Sequence, residues 1–206
     1  LTAILINIIC SLRRKRYESA LFGPNGVAGF VFYAAVVAGF GGQGILFAGK
    51  FLAYKGLLED LQVSWLPSYG PEMRGGTANC SVCISDDPIG SPLVLSPDVL
   101  MAMNLQSFDK FINAVVSGGT AVIDSTLVDK KTERTDITSI YVPATALASE
   151  NDLQGLANII LIGTILKHTE FADFEAVKKA IDKCVPPKKH HLIEANLRAI
   201  ELGMKY

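Results

Sequence analysis

"VVAGFGGQGILFAGKFLAYKGLL", residues 36–58, decides how this chain folds. The apolar run of Phe, Val, Tyr and Ala over residues 30–38 has no polar face, the composition of a strand covered on both sides, as in a parallel sheet. Three glycines then spell G-x-G-x-x-G at Gly39, Gly41 and Gly44. Behind them Ile45, Ala48, Leu52 and, less strictly, Lys55 recur on one helical stripe, with Gly56 expected at the helix's C-cap. The unit reads as strand, glycine turn, helix. At such a junction several backbone N–H groups and the positive end of the helix dipole converge, and glycine lets an anion come close. Glycines also serve tight turns and close helix–strand packing, so anion binding and pure packing are both readings of this loop.

Working outward, "QVSWLPSYGPEMRGGTANCSVCIS" (62–85) predicts a short strand ending at Pro67, a loop rich in Gly and Pro, and a strand from residue 77 to residue 85. "SPDVLMAMNLQSFDKFINAV" (96–115) reads as strand then helix. "GGTAVIDST" (118–126) repeats the turn and strand, with Asp124 and Ser125 at the strand's C-terminal tip. "SIYVPATALASE" (139–150) adds a short strand and Pro143, and "LQGLANIILIGTILKHT" (153–169) a long buried helix. "DFEAVKKAIDKCV" (173–185) and "HHLIEANLRAIELG" (190–203) predict two helices separated by "PPKK", the first with Phe174, Val177 and Ile181 on its apolar stripe. This alternation predicts an α/β sheet with helices on both faces.

Half of the 206 residues are hydrophobic, enough for one well-filled core. The expected organisation is one domain over residues 34–206, preceded by an extension, residues 1–33. With 19 basic and 20 acidic residues, a net charge of -1 supplies no field for nucleic acid or a membrane surface. The cysteines, Cys10, Cys80, Cys83 and Cys184, are too scattered for a secreted disulfide scaffold, so a reducing, cytoplasmic location is expected. A mean hydropathy of +0.33 and the charge-free stretch between Glu18 and Lys50 raise a transmembrane reading. Against it, "GPNG" (23–26) and "GFGGQG" (39–44) are turn chemistry that would leave backbone polar groups unmet in lipid, and no span is expected. In "LTAILINIICSLRRKR" (1–16) the charges follow the apolar run, the reverse of an export signal. A short buried element, a membrane-surface anchor and an added tail are its open readings.

A dinucleotide site needs an acidic residue about 20 positions after the glycines, at the end of the second strand, to hold ribose hydroxyls. That strand ends in "SWLP", with Glu59 and Asp60 before it and Glu72 well beyond, so NAD or FAD loses support. The missing K-[ST] after the glycines removes a P-loop nucleotidase. Cys80 and Cys83 form C-x-x-C, but on a strand residues three apart point to opposite faces, and buried core thiols are expected instead of a redox pair or metal site. No iron–sulfur centre is expected in the chain. His190 and His191, beside Lys188 and Lys189, read as a solvated turn with no metal. "PSYGPEMRGG" (67–76) follows a strand's C-terminal end, the edge where open α/β sheets bind ligands, and can present Tyr69, Glu72 and Arg74. Its other reading is a surface crossover in which Arg74 pairs with Glu72.

Taken together, "GFGGQGI", "PSYGPEMRGGTANCSVCIS", "IGSPLVLSPDVLMAMN", "GGTAVIDS", "ANIILIGTIL" and "NLRAIELG" resemble the gamma subunit of the 2-oxoacid:ferredoxin (acceptor) oxidoreductases. The chain looks most like the type serving 2-oxoglutarate or branched-chain oxoacids. The resemblance runs in order from residue 34 to residue 203, and its most specific string is residues 67–78. It implies a Rossmann-like α/β domain, an open, mostly parallel sheet with helices on both faces, that is one subunit of an enzyme and inactive alone. The complexes of this family decarboxylate a 2-oxoacid on thiamine diphosphate, pass electrons through iron–sulfur clusters to ferredoxin or another acceptor, and release an acyl-coenzyme A. Thiamine diphosphate lies between the alpha and beta subunits and the clusters in beta and delta, so those subunits are the expected partners. No catalytic residue and no metal is expected here. Gly41, Gly42, Gln43 and Gly44 are then expected to offer N–H groups to a phosphate of coenzyme A or to a segment of a partner subunit, with Tyr69 and Arg74 beside them. The alternative is a purely structural docking subunit without a ligand, able to homodimerise when isolated.

Overall fold

Strand β1 (Phe32–Phe40) runs through the middle of a six-stranded sheet and is walled in on both sides. Each residue from Ala34 to Ala38 is buried. Ala35 and Val37 enter one core and Val36 and Ala38 the other, as the two-residue period of a strand requires. The computed structural model describes residues 32–69, 77–169 and 174–206. The leader, residues 1–31, and residues 70–76 with Glu72 and Arg74 lie outside the described residues.

The sheet order is β2 (Gln62–Tyr69), β3 (Thr77–Ser85), β1, β4 (Val99–Ala102), β5 (Thr120–Asp124) and β6 (Thr138–Val142). β1, β4, β5 and β6 are parallel in sequence, while β3 runs against both its neighbours, so every strand except β3 points the same way. The expected mostly parallel sheet is therefore present. β2 continues past Pro67, its predicted end, to Tyr69, with Pro67 opposite Cys80. β2 is the sheet edge, where a proline's missing N–H can face outward and costs no ladder bond.

Helices α1 (Ile45–Leu58), α3 (Ala144–Glu150), α4 (Ala157–His168), α5 (Phe174–Cys184) and α6 (Ile193–Gly203) send buried side chains into the core that holds Ala35 and Val37. Helix α2 (Leu105–Phe111) serves the opposite face, where Phe108 packs with Val36, Ala38 and Leu100. The stripe of Ile45, Ala48, Leu52 and Lys55 is buried, and Lys55 pairs with Glu59 one turn on. Gly56 is not the cap. It lies inside α1, where a Cβ would come within 2.9 Å of an Ile84 methyl and 3.0 Å of a Val63 methyl, and the cap is Glu59. Glycine stands there because α1 presses onto β2 and β3.

α4 is buried from Asn158 to Leu166 on every side, the pattern of a central helix. Each of its Ile and Leu side chains is worth about 1.5–3 kcal/mol on burial. The predicted stripe of α5 is corrected at one end: Val177 and Ile181 are buried, but Phe174 is 44% exposed in the helix's first turn. The sequence also gave no sign of α3, a helix of 7 residues whose start is tied to the sheet by Asp124. Among the described residues no helix is long and apolar enough to cross a membrane.

Candidate functional site

From β1 the chain leaves through α1 on one face and moves to β2, at one edge of the sheet. From β4, the parallel neighbour of β1, it leaves through α2 on the other face and moves to β5 and β6. The chain thus parts in opposite directions at the β1–β4 boundary, and the C-terminal ends of these strands are the place where open α/β sheets take ligands. The glycine loop, residues 41–44, follows β1 at this boundary, and Met103 and Asn104 follow β4.

The loop's shape follows from its residues. Gly42 has φ 99° and Gly44 φ 74°, left-handed values that glycine adopts without the penalty a Cβ brings. Gln43 locks the turn: its N–H donates to the Phe40 carbonyl at 3.2 Å and its Oε1 accepts from the Phe40 N–H at 2.6 Å. Its Nε2 reaches across the boundary to donate to the Met103 carbonyl at 3.2 Å. Gly44 is the N-cap of α1, with no side-chain cap and no acidic residue in the first turn. Among the described residues, the amides of Gly41, Gly42 and Gly44 donate to no carbonyl oxygen. Open amides and the positive end of a 14-residue helix meet at one place, which favours an anion.

Tyr69 ends β2 opposite Ala78, and Thr77 begins β3 opposite Phe40. Tyr69 and Thr77 therefore lie at the same end of the sheet as the glycine loop, Thr77 beside Phe40, the residue that precedes Gly41. Arg74 and Glu72 belong to the segment between them, residues 70–76, and lie outside the described residues.

Two residues that sequence reasoning passed over flank the loop. Asn158, in the first turn of α4, donates from Nδ2 to the Gly44 carbonyl at 3.0 Å. It is 3% exposed, and its Oδ1 has no partner among the described residues. Asn104, the N-cap of α2, accepts the Ser107 N–H on Oδ1 at 2.7 Å and leaves a buried Nδ2 equally unpartnered. The signal for Asn158 was present: an amide within "ANIILIGTIL" must be buried with the helix, and a buried amide demands partners.

Other polar groups are occupied by structural work. The buried Asp124 carboxylate, at the tip of β5, accepts from the Thr126 N–H at 3.0 Å and the Thr145 hydroxyl at 2.5 Å. Cys80 and Cys83 do point to opposite faces: Cys80 lies in the α1 core, while the Cys83 thiol sits 3.9 Å from the Ser91 carbonyl. Burial pushes the Cys80 and Cys184 thiols up to about 12, so both are protonated and unreactive at neutral pH. Among the described residues no group of three His, Cys, Asp or Glu side chains could hold a metal ion. The dinucleotide reading meets a topological obstacle as well. The strand beside β1 on the α1 side is the reversed β3, and β2, whose end would carry the ribose-binding carboxylate, lies one strand further out.

Over residues 34–206 the chain matches the family described as pyruvate ferredoxin/flavodoxin oxidoreductase. The 2-oxoglutarate synthase subunit KorC of Methanocaldococcus jannaschii is 38% identical over 170 residues, covering 81% of this chain and 89% of KorC. The ketoisovalerate oxidoreductase subunit VorA of Methanothermobacter thermautotrophicus is 38% identical over 171 residues, 82% of this chain, and the match spans 35% of that longer relative. The solved gamma subunit of a keto/oxoacid ferredoxin oxidoreductase from Geobacter sulfurreducens superposes with a TM-score of 0.70 at 30% identity, covering 84% of this chain and 96% of that one. On these matches, this chain belongs to the pyruvate ferredoxin/flavodoxin oxidoreductase family.

Proposed function

We propose that the chain is the gamma component of a cytoplasmic, multi-subunit 2-oxoacid:ferredoxin (acceptor) oxidoreductase that turns a 2-oxoacid and coenzyme A into acyl-coenzyme A, CO2 and reduced acceptor. The observation that carries this reading is the length of the matches. Nearly all of KorC and of the Geobacter gamma subunit aligns with this chain, whereas in VorA the same stretch is a minor part of a longer protein. A domain that occurs both alone and within a larger chain is one component of a larger machine. 2-Oxoglutarate is the favoured substrate, by the likeness to KorC.

In this reading the amides of Gly41, Gly42 and Gly44 hold a phosphate of coenzyme A, and Gln43 keeps the loop in shape for them. Tyr69 ends β2, two strands from β1, Arg74 belongs to the segment that follows it, and Arg74 adds charge-assisted hydrogen bonds to the phosphates. Thiamine diphosphate, held by the alpha and beta subunits, supplies the electron sink for decarboxylation, and iron–sulfur clusters in beta and delta carry the electrons away. This chain's own work is to bind and orient the coenzyme.

The test is co-purification of the tagged chain from its own organism, followed by assay of the eluate for oxoacid- and coenzyme A-dependent reduction of a viologen dye. Activity with thiamine- and cluster-bearing partners is expected, and the preferred oxoacid names the substrate. An inactive chain recovered alone, with the activity left in the lysate, overturns the proposal. A second reading, a docking subunit with no ligand, draws on one feature: the edge strand β2 carries no charged residue and exposes Trp65 and Leu66, at 37% and 38%.

A further inference from the structure

We infer that Asn158 reads the molecule held by the glycine loop: its Oδ1 accepts a hydrogen bond from an N–H or O–H group of the ligand, while the loop's amides take the ligand's phosphate. The inference rests on the reading of the loop as a phosphate site and adds to it which phosphorylated molecules the loop admits.

The orientation of the amide is fixed by chemistry. Nδ2 faces the Gly44 carbonyl at 3.0 Å, and turning the group over would set two acceptor oxygens against each other. The free atom is therefore the acceptor. Asn158 is also pressed against the N-cap of α1, since a Cβ on Gly44 would stand 2.5 Å from its Nδ2 and 3.4 Å from its Oδ1. A buried acceptor without a donor is costly, so a native structure keeps one for a partner.

A fully ionised phosphate ester offers acceptors, not donors, and gains nothing from Oδ1. A ligand that carries an amide N–H or a hydroxyl beside its phosphate gains a bond there. Asn104, at the end of β4, holds the opposite kind of free atom, the donor Nδ2. Both atoms are buried, and Gly42, a left-handed glycine with nothing within 4 Å of its Cβ position, leaves open space at the loop.

The experiment is calorimetric titration of the full chain, wild type and variants, with two probes: inorganic diphosphate, which has no amide and no alcohol group, and coenzyme A, which has phosphate, amide and hydroxyl groups. Wild-type protein is expected to prefer coenzyme A, and Asn158→Ala to weaken coenzyme A binding by about tenfold, the worth of one hydrogen bond, with diphosphate unchanged. Equal loss for both probes, no loss for either, or no wild-type preference for coenzyme A overturns the role of Asn158 and leaves the phosphate site standing. The second of these results means that a trapped water satisfies Oδ1. Wild-type protein that binds neither probe sinks the phosphate site and this inference with it. Should Asn158→Ala fail to fold, as a thermal melt would reveal, the isosteric Asn158→Asp decides. Its carboxylate is expected to weaken diphosphate more than coenzyme A, and binding of both probes as in wild type overturns the inference.

Discussion

Glycine does opposite work in two regions of this molecule. In the loop after β1, Gly42 takes φ 99°, and a Cβ there would meet nothing within 4 Å. Where α4 crosses α6, the backbones touch: a Cβ on Gly163 would stand 2.2 Å from the Ile200 carbonyl oxygen, and one on Gly203 only 1.8 Å from that of Ile160. The Thr164 hydroxyl seals the crossing with a bond of 2.9 Å to the Gly203 carbonyl. The loop needs glycine for its dihedral angle and keeps space free, while the crossing needs glycine because no space is left. Stability should therefore reside in the crossing and ligand binding in the loop.

The largest effect is expected at the crossing. In Gly203→Ala the new methyl meets a backbone oxygen that cannot rotate away, so the helices must move apart and α4 loses contacts along its length. Overpacking of this kind costs about 3 kcal/mol or more, a fall of roughly 10 °C in melting temperature for a chain of this size. Gly163→Ala should follow closely behind. A thermal melt of either variant that matches wild type would break the comparison.

Next in size is a loss of stability in alkali, which probes the same crowded core. Cys80 and Cys184 are held near 12 in the fold against an ordinary value of 9.0. The folded chain thus keeps protons that the unfolded chain gives up. The stability this brings is complete below pH 9 and drains away as pH rises toward 12, by on the order of 1 kcal/mol per thiol for each pH unit. Denaturant midpoints at pH 7 and pH 10 measure it. A thiol reagent at pH 8 should also leave both cysteines unmodified until the chain unfolds.

Gly42→Ala should separate stability from binding. A left-handed alanine costs about 1–2 kcal/mol, a few degrees in the melt, and no clash adds to it. Binding of coenzyme A or diphosphate should fall much further, because the loop can no longer aim its amides. If stability falls while binding is kept, the loop is a packing device and the contrast with the crossing disappears.

Much of the scaffold was legible because local pattern and tertiary demand agree. The run through Val37 predicts a doubly buried strand, and "ANIILIGTIL" predicts a helix buried on all sides. Where they disagree, the sequence misleads. Gly56 looks like a cap and Pro67 like a strand end, but what settles each is tertiary context: Ile84 beneath Gly56, and, among the described residues, no further strand beyond β2. The glycine loop announced itself, since its dihedral angles leave a mark in composition. Its flanking amide Asn158 announced burial within an apolar helix but not its place, because it lies 114 residues from Gly44 and only the fold brings the two together.

The smallest effect on stability is expected at the edge of β2, which is neither crowded like the crossing nor kept open by a turn. Trp65 lies opposite Val82, on the α1 side of the sheet, and Leu66 lies opposite Ser81, on the other side. With no charge on the strand, Pro67 is the residue of β2 itself that guards the edge against another strand. Leu66 is 38% exposed, so Leu66→Lys buries no charge and should shift stability by no more than about 0.5 kcal/mol. The same lysine should suppress self-association of the isolated chain, as read by sedimentation velocity, and weaken its recovery with partner subunits if that edge is where they dock. A variant that assembles as wild type does would free the edge of any docking role and leave the C-terminal ends of β1 and β4 as the functional face of the chain.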